Sequence, residues 1–249
     1  MQRIRATFDW LAELSLSGVW RTLRGAKLGL RSALVQQYSP DPEYEAKVAY
    51  LLECLAQTAQ APEARVALFL DEMGYGRWPE PGPDWGPLAP APAPRTQKAG
   101  TNSQWRLVGA LNALSGQVDS LDNYLVGRTP LVQMYRRLDQ AYPQAERIYV
   151  IQDNWSLHQH PEVQAVLVEL RRIEPVWLPT YAPWLNPIEK LWRWLHQDVL
   201  KLHRLADDRT AVRRQVNAFL DQFAAGSHDL LHYVGLLGDG KLAQALRVT

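Results

Sequence analysis

The chain has 249 residues, 47% hydrophobic and 21% charged, with 27 Lys and Arg against 26 Asp and Glu. This is the composition of an ordinary globular protein with ample core material, in one large domain or a main domain with a small appendage. No run of about 18 apolar residues occurs and no apolar stretch follows the charges of MQRIRATFDW, so neither a membrane span nor a signal peptide is expected, and the predicted compartment is the cytoplasm. One cysteine, Cys54, excludes internal disulfides and a multi-cysteine zinc site.

The net charge of +1 hides an uneven distribution. Arg3, Arg5, Arg21, Arg24, Lys27 and Arg31 crowd the first 35 residues, and a second basic cluster runs from Lys190 to Arg214. Such patches either hold phosphates or are solvated helix faces.

In chain order, residues 1–35 read as short helical pieces: WLAEL, then SGVWRTL capped by Ser15 or Ser17, then a Gly- and Arg-containing stretch ending near Leu34. Ser39-Pro40-Asp41-Pro42 is a linker before a helix over about 43–59. Val66–Leu70 is a short apolar run, a buried strand ending in Asp71-Glu72. Residues 79–95 hold seven prolines and predict an irregular loop.

QWRLVGALNALSGQVDSLDNYL predicts two strands joined near Ser115-Gly116. A helix over 129–142 is expected to take Thr129 as cap and Pro130 at its first position. Arg147–Ile151 is a strand delivering Gln152-Asp153-Asn154, PEVQAVLVELRR a helix, and PVWLP a short strand. Asn186-Pro187 opens a long helix to about Arg204, and another spans about Asp207 to Ala224. Strands first in a meander, then alternating with helices, predict an α/β domain with a mixed sheet.

Two strands thus deliver Asp71 and Asp153 at their carboxyl ends, where α/β sheets build ligand sites. Carboxylates brought together repel, so a cation is the natural neutraliser, and all-oxygen ligation suits Mg²⁺ or Mn²⁺. Each aspartate alone reads more readily as a turn residue closing its strand than as a ligand. Glu189 follows Asp153 with 35 residues between. It has two readings as well, a third ligand or the acid of a capping box with Asn186 as N-cap and Pro187 at N1.

LFLDEMGY, YVIQDNWSLHQHPEV and LPTYAPWLNPIEKLWRWL together resemble the three signature segments of mariner-type DDE transposases, closest to the bacterial insertion-sequence family numbered 630. The resemblance covers about residues 40–225, with Ala182 where serine is usual. It implies an RNase H-like mixed sheet flanked by helices over 41–225, with Asp71, Asp153 and Glu189 catalytic and holding two Mg²⁺ or Mn²⁺ ions for in-line attack at a phosphodiester. Residues 1–40 then become a partial helix-turn-helix remnant, with a recognition helix around Gly18–Leu23, and 226–249 a tail of unassigned role.

The implied function is cleavage of transposon ends and strand transfer into target DNA at TA. The implied partners are double-stranded DNA, a second copy in a homodimer, and a DNA-binding polypeptide from an upstream frame, in a nucleoid-associated setting. Two other readings stand beside it: an inactive, truncated or domesticated remnant that only binds DNA, and an RNase H-like nuclease acting on RNA–DNA hybrids.

Supporting candidates are Asn154 and His158 beside the second acid, and Lys190 and Arg193 toward phosphates or as helix-surface charges. Trp78 and Trp85 would stack on an unpaired base or anchor their loop. His158 and His160 read as surface or supporting histidines in preference to metal ligands.

Overall fold

The computed structural model describes residues 15–27, 38–82, 102–123 and 127–247. The chain divides into two compact units, Met1–Gln37 and Tyr38–Thr249. In the first, helix α1 (Leu16–Gly25) is capped by Ser15, whose hydroxyl accepts the Gly18 N–H at 3.1 Å. The expected WLAEL helix and most of the Gly- and Arg-containing stretch lie outside the described residues.

The second unit opens with α2 (Tyr44–Gln60) and the long strand β1 (Arg65–Gly76). β2 (Gln104–Asn112) and β3 (Val118–Asn123) form the expected hairpin, turning at Gly116 with φ +68°. α3 (Arg128–Ala141), β4 (Arg147–Gln152), α4 (Pro161–Glu169) and β5 (Ile173–Trp177) follow in alternation. The sheet order is β3-β2-β1-β4-β5, with β2 antiparallel to both β1 and β3, and β4 parallel to both β1 and β5.

β1 is central, and both its faces are covered, so its first half is uniformly apolar instead of alternating. Ala67 and Phe69 face a core built with Leu51, Leu55 and Leu191; Val66, Leu68 and Leu70 face a second core built with Leu131, Met134 and Val163. The strand period of two therefore sends adjacent residues to opposite layers. Cys54 lies buried in the first core, where desolvation pushes its thiol up to about 11.

Four expectations need correction. β1 does not end at Asp71-Glu72: its antiparallel pairing with β2 continues to Gly76 opposite Gln104, so Asp71 is mid-strand. α3 is capped by extended Gly127 without a side-chain bond, and Thr129 lies within the helix, which starts two residues earlier than expected. The helix after Asn186-Pro187 is much shorter than expected: α5 covers only Ile188–Leu195, then a π-turn (His196–Leu200) stops at Lys201, where a parallel bridge joins Glu80. His196 Nδ1 sits 2.8 Å from a Glu80 carboxyl oxygen, a partner remote in sequence that ends the helix there. Fourth, the cap of α5 is Pro187, without a side-chain bond.

α6 (Arg209–Asp221), α7 (His228–Val234) and α8 (Lys241–Ala245) complete the unit. Leu230, Leu231 and Val234 of α7 belong to the same core as Phe69, so residues after 226 contribute to this unit's packing.

Candidate active site

Asp71 lies on the same side of β1 as Phe69, toward α5, and its Oδ2 accepts the Trp192 indole N–H at 3.0 Å. Its neighbour across the antiparallel ladder is Gly109. A Cβ at Gly109 would stand 2.4 Å from Cη2 of Trp192, so only glycine lets the indole cross β2 and reach the aspartate. Asp153 is the first residue beyond β4, and its Oδ1 accepts the Trp155 N–H at 3.0 Å in a tight local turn. The parallel register ends at Phe69 opposite Ile151; carried two residues further, it sets Asp71 beside Asp153.

Glu189 is in the first turn of α5. The capping box does not form: Asn186 turns its amide inward to donate to the Leu70 carbonyl at 3.2 Å, and Pro187 takes the cap position. Glu189 has no capping duty.

The three acids line one cavity of about 510 Å³, walled by Asn154, Trp155 and the 178–183 loop. Burial, then the charge of Glu189, push Asp71 up to about 7. Glu189 is raised by burial and by Asp153, against the opposing pull of Arg193. Asp71 and Glu189 thus resist ionising in this enclosure, the condition a cation relieves. Among the described residues no three His, Cys, Asp or Glu side chains already meet at one point suited to an ion. The all-oxygen set fits a hard divalent cation.

A family profile described as a DDE superfamily endonuclease matches residues 66–213. The chain belongs to this family. The DDE assignment agrees with a relative in Shigella sonnei, the insertion element IS630 uncharacterized 39 kDa protein, which is 27% identical over 222 residues. That alignment takes in 88% of this chain and 63% of the relative, so the chain spans less than two thirds of the relative's length. In fold, this DDE-family chain is similar to the mariner Mos1 paired end complex with Mg, at TM-score 0.62 and 16% identity, over 98% of this chain and 75% of that one. The Mos1 paired end complex with Mn gives 0.60 and 17% over the same shares. The five-stranded mixed sheet flanked by helices is the RNase H-like arrangement of such catalytic domains.

Behind the three acids, on the opposite side of the sheet, lies a buried polar group that sequence reasoning missed in part. Glu72 points there by strand alternation, and burial with the nearby Asp71 charge pushes it up to about 8. His158 is fully buried, with Nε2 3.7 Å from Glu72 and 3.6 Å from Asp153. Desolvation depresses the imidazole to about 4, so it is neutral at pH 7. The Tyr135 hydroxyl lies 2.6 Å from Gln152 Oε1 and 3.2 Å from His158 Nδ1. One hydroxyl proton cannot serve both, so Tyr135 donates to Gln152 and receives from Nδ1–H, an assignment made from geometry. His158 therefore presents a lone pair toward a protonated Glu72. The sequence signal was available, since LDE places two acids in succession and alternation must separate them.

His160 is not paired with His158: its ring caps α4 by accepting the Glu162 N–H at 3.2 Å. Asn154 lines the cavity and ties its turn to the Leu178 carbonyl at 2.9 Å. Arg193 is exposed, one turn beyond Glu189. Lys190 is exposed but bonds the Val234 carbonyl at 2.8 Å, at the end of α7. Trp78 is half-buried, with its backbone N–H bonded to Asn102; Trp85 lies outside the described residues.

The cavity loop is held from a distance. Asp41 accepts the Thr180 N–H and the Lys47 ammonium, both at 2.8 Å, and the Glu43 N–H at 2.9 Å; the Ser39 hydroxyl donates to the Thr180 carbonyl at 2.6 Å. Lys47, then the Thr180 and Glu43 amides, hold the Asp41 carboxyl well below the usual range. A depressed carboxylate stabilises the fold above its unfolded pKa of about 3.9 and loses that contribution as pH falls below it. Asp41→Ala is therefore expected to unfold at lower temperature than the wild type at pH 7, with the gap narrowing below about pH 4, as read by thermal melts across pH. A gap independent of pH would refute the ionic role.

Proposed function

We propose that this chain is a transposase catalytic domain that cuts DNA at transposon ends and joins the freed 3′-hydroxyl to target DNA. The observation that carries the reading is the convergence of Asp71, Asp153 and Glu189, from three separate elements, on one cavity where burial and neighbouring carboxylates raise the proton affinity of Asp71 and Glu189. A site that binds protons in this way binds a divalent cation in their place.

Asp71, Asp153 and Glu189 would hold Mg²⁺ or Mn²⁺, two ions in our reading. Bound there, the metal supplies activation of the attacking water or 3′-hydroxyl and stabilisation of the departing 3′-oxygen. The chain's own side chains set the stage for this. Trp192 fixes the Asp71 carboxylate by donating its indole N–H to Oδ2. Arg193 favours the ionised form of Glu189. Asn154 holds the turn after Asp153 against the 178–183 wall. No side chain has to act as a covalent nucleophile.

The two Mos1 structures are named as paired end complexes, with Mg and with Mn, which supports DNA ends as the partner and a divalent ion as the cofactor here. We extend this to a homodimer joining two ends, to TA as target, and to α1 as part of a helix-turn-helix module in residues 1–40. Among the described residues no helix is long and apolar enough to cross a membrane.

The intact carboxylate set and open cavity favour an active enzyme over a binding-only remnant. A strand-transfer assay with pre-cut element ends, a TA-containing plasmid and Mg²⁺ or Mn²⁺ tests the reading, with Asp153→Ala as control. Joined product is expected from the wild type alone. Product from the variant would refute the site, and faster cutting of RNA–DNA hybrid than of duplex DNA would favour a hybrid nuclease.

A further inference from the structure

Two aromatic rings stand at the mouth of the acid cavity. Tyr181 is 77% exposed and Trp155 39% exposed, and both line the cavity whose floor holds the three carboxylates. Exposed aromatics scattered singly are ordinary; two at one rim are not.

Tyr181 is also strained. Its φ is +55°, a left-handed conformation that disfavours a bulky side chain, and few described non-glycine residues share it. The loop imposes it: Thr180 is tied on both its N–H and its carbonyl to Asp41 and Ser39, while prolines 179 and 183 stiffen the flanks. The strain leaves the ring in solvent, where it gains little packing, so glycine or asparagine would suit the turn better. Trp155 is fastened just as locally, by its N–H on Asp153 and by its ring set edge-on to His158 at 6.1 Å.

We infer that Tyr181 and Trp155 form a stacking platform for one unpaired nucleobase next to the phosphodiester held by the acids, an inference that rests on the DNA-cutting reading above. The cavity volume is in the range that admits a single nucleotide-sized group. A base inside a duplex offers its faces only to its neighbours in the stack, so a ring at the cavity mouth meets a base face only when that base has left its pair. Stacking is tolerant of base identity, and the platform would therefore open ends without reading their sequence. The stacking surface sits at Tyr181 and Trp155 in place of Trp78, which is half-buried.

The test is anisotropy in Mg²⁺ with two fluorescein-labelled pre-cut end duplexes. One is fully paired and the other has its last two base pairs mismatched. The wild type is expected to bind the frayed duplex on the order of tenfold more tightly, because opening is already done. Tyr181→Gly suits the left-handed turn and removes only the ring; it is expected to bind both duplexes alike, at the wild-type affinity for the paired one. Tyr181→Phe should keep the preference. Equal wild-type affinities, or a preference that survives in Tyr181→Gly, overturns the platform and leaves the DNA-cutting reading standing. Binding of neither duplex removes both.

Discussion

Replacing Asp71 with asparagine is expected to abolish metal-dependent cutting while making the metal-free protein more stable at alkaline pH. The loss follows from charge: a ligand that contributes several kcal/mol of charge stabilisation, at tenfold per about 1.4 kcal/mol, is worth on the order of a thousandfold or more in rate. The gain follows from the same charge. Asp71 is pushed up to about 7 by burial and by Glu189. Between its unfolded value of about 3.9 and that pH, the folded protein holds more protons than the unfolded one, so stability falls as pH rises through the window. At about 1.4 kcal/mol per unit, the wild-type penalty at pH 8 is on the order of a few kcal/mol.

Asparagine keeps a carbonyl oxygen for the Trp192 N–H and carries no charge. Thermal melts at pH 5 and pH 8, in chelator and in Mg²⁺, check this directly. The wild type should melt lower at pH 8 in chelator and recover with Mg²⁺; Asp71→Asn should melt higher at pH 8 and respond less to the ion. A metal-free wild type equally stable at both pH values would contradict the electrostatic account of the site.

Gly109→Ala is expected to cost about 2 kcal/mol and most of the activity, although the new methyl touches no acid. In most strands alanine is better than glycine by about 0.5–1 kcal/mol. Here the sign reverses, because the new Cβ would lie 2.4 Å and 2.8 Å from two atoms of the Trp192 ring, with Ile188 behind at 3.4 Å. The indole must retreat, which withdraws its N–H from Asp71 and shifts the first turn of α5 that carries Glu189. Urea unfolding and a metal-dependent nicking assay read the two effects. Adding Trp192→Leu should restore part of the stability by removing the clash, yet not the activity, since Asp71 then lacks its donor; full recovery of nicking would show that the indole does not position the acid.

Most strands were legible in the sequence because burial on two faces writes a continuous apolar run, as in Val66–Leu70 and Arg147–Ile151, and because Ser115-Gly116 marks a hairpin. The three acids were legible as a spaced pattern. The surroundings of Glu189 were not, since it has the same local sequence whether it caps a helix or faces a cavity. The choice was made by Asn186, whose amide found the Leu70 carbonyl 116 residues away. The length of α5 was misread for a like reason, as the periodic stripe continues past Leu195 while contacts with Glu80 end the helix.

Sequence alone determined the mixed α/β layering, the place of Asp153 just past its strand and that of Glu189 in the first turn of its helix, all consequences of local periodicity and of the Asn186-Pro187 helix start. Tertiary structure decided which layer each acid met: Trp192 and the open cavity for Asp71, the closed group of His158, Tyr135 and Gln152 for Glu72. It also placed Asp41 on the loop that carries Tyr181, across 139 residues of chain to Thr180. Hydrogen bonds and excluded volume between distant residues leave no periodic trace, so only the folded chain expresses them.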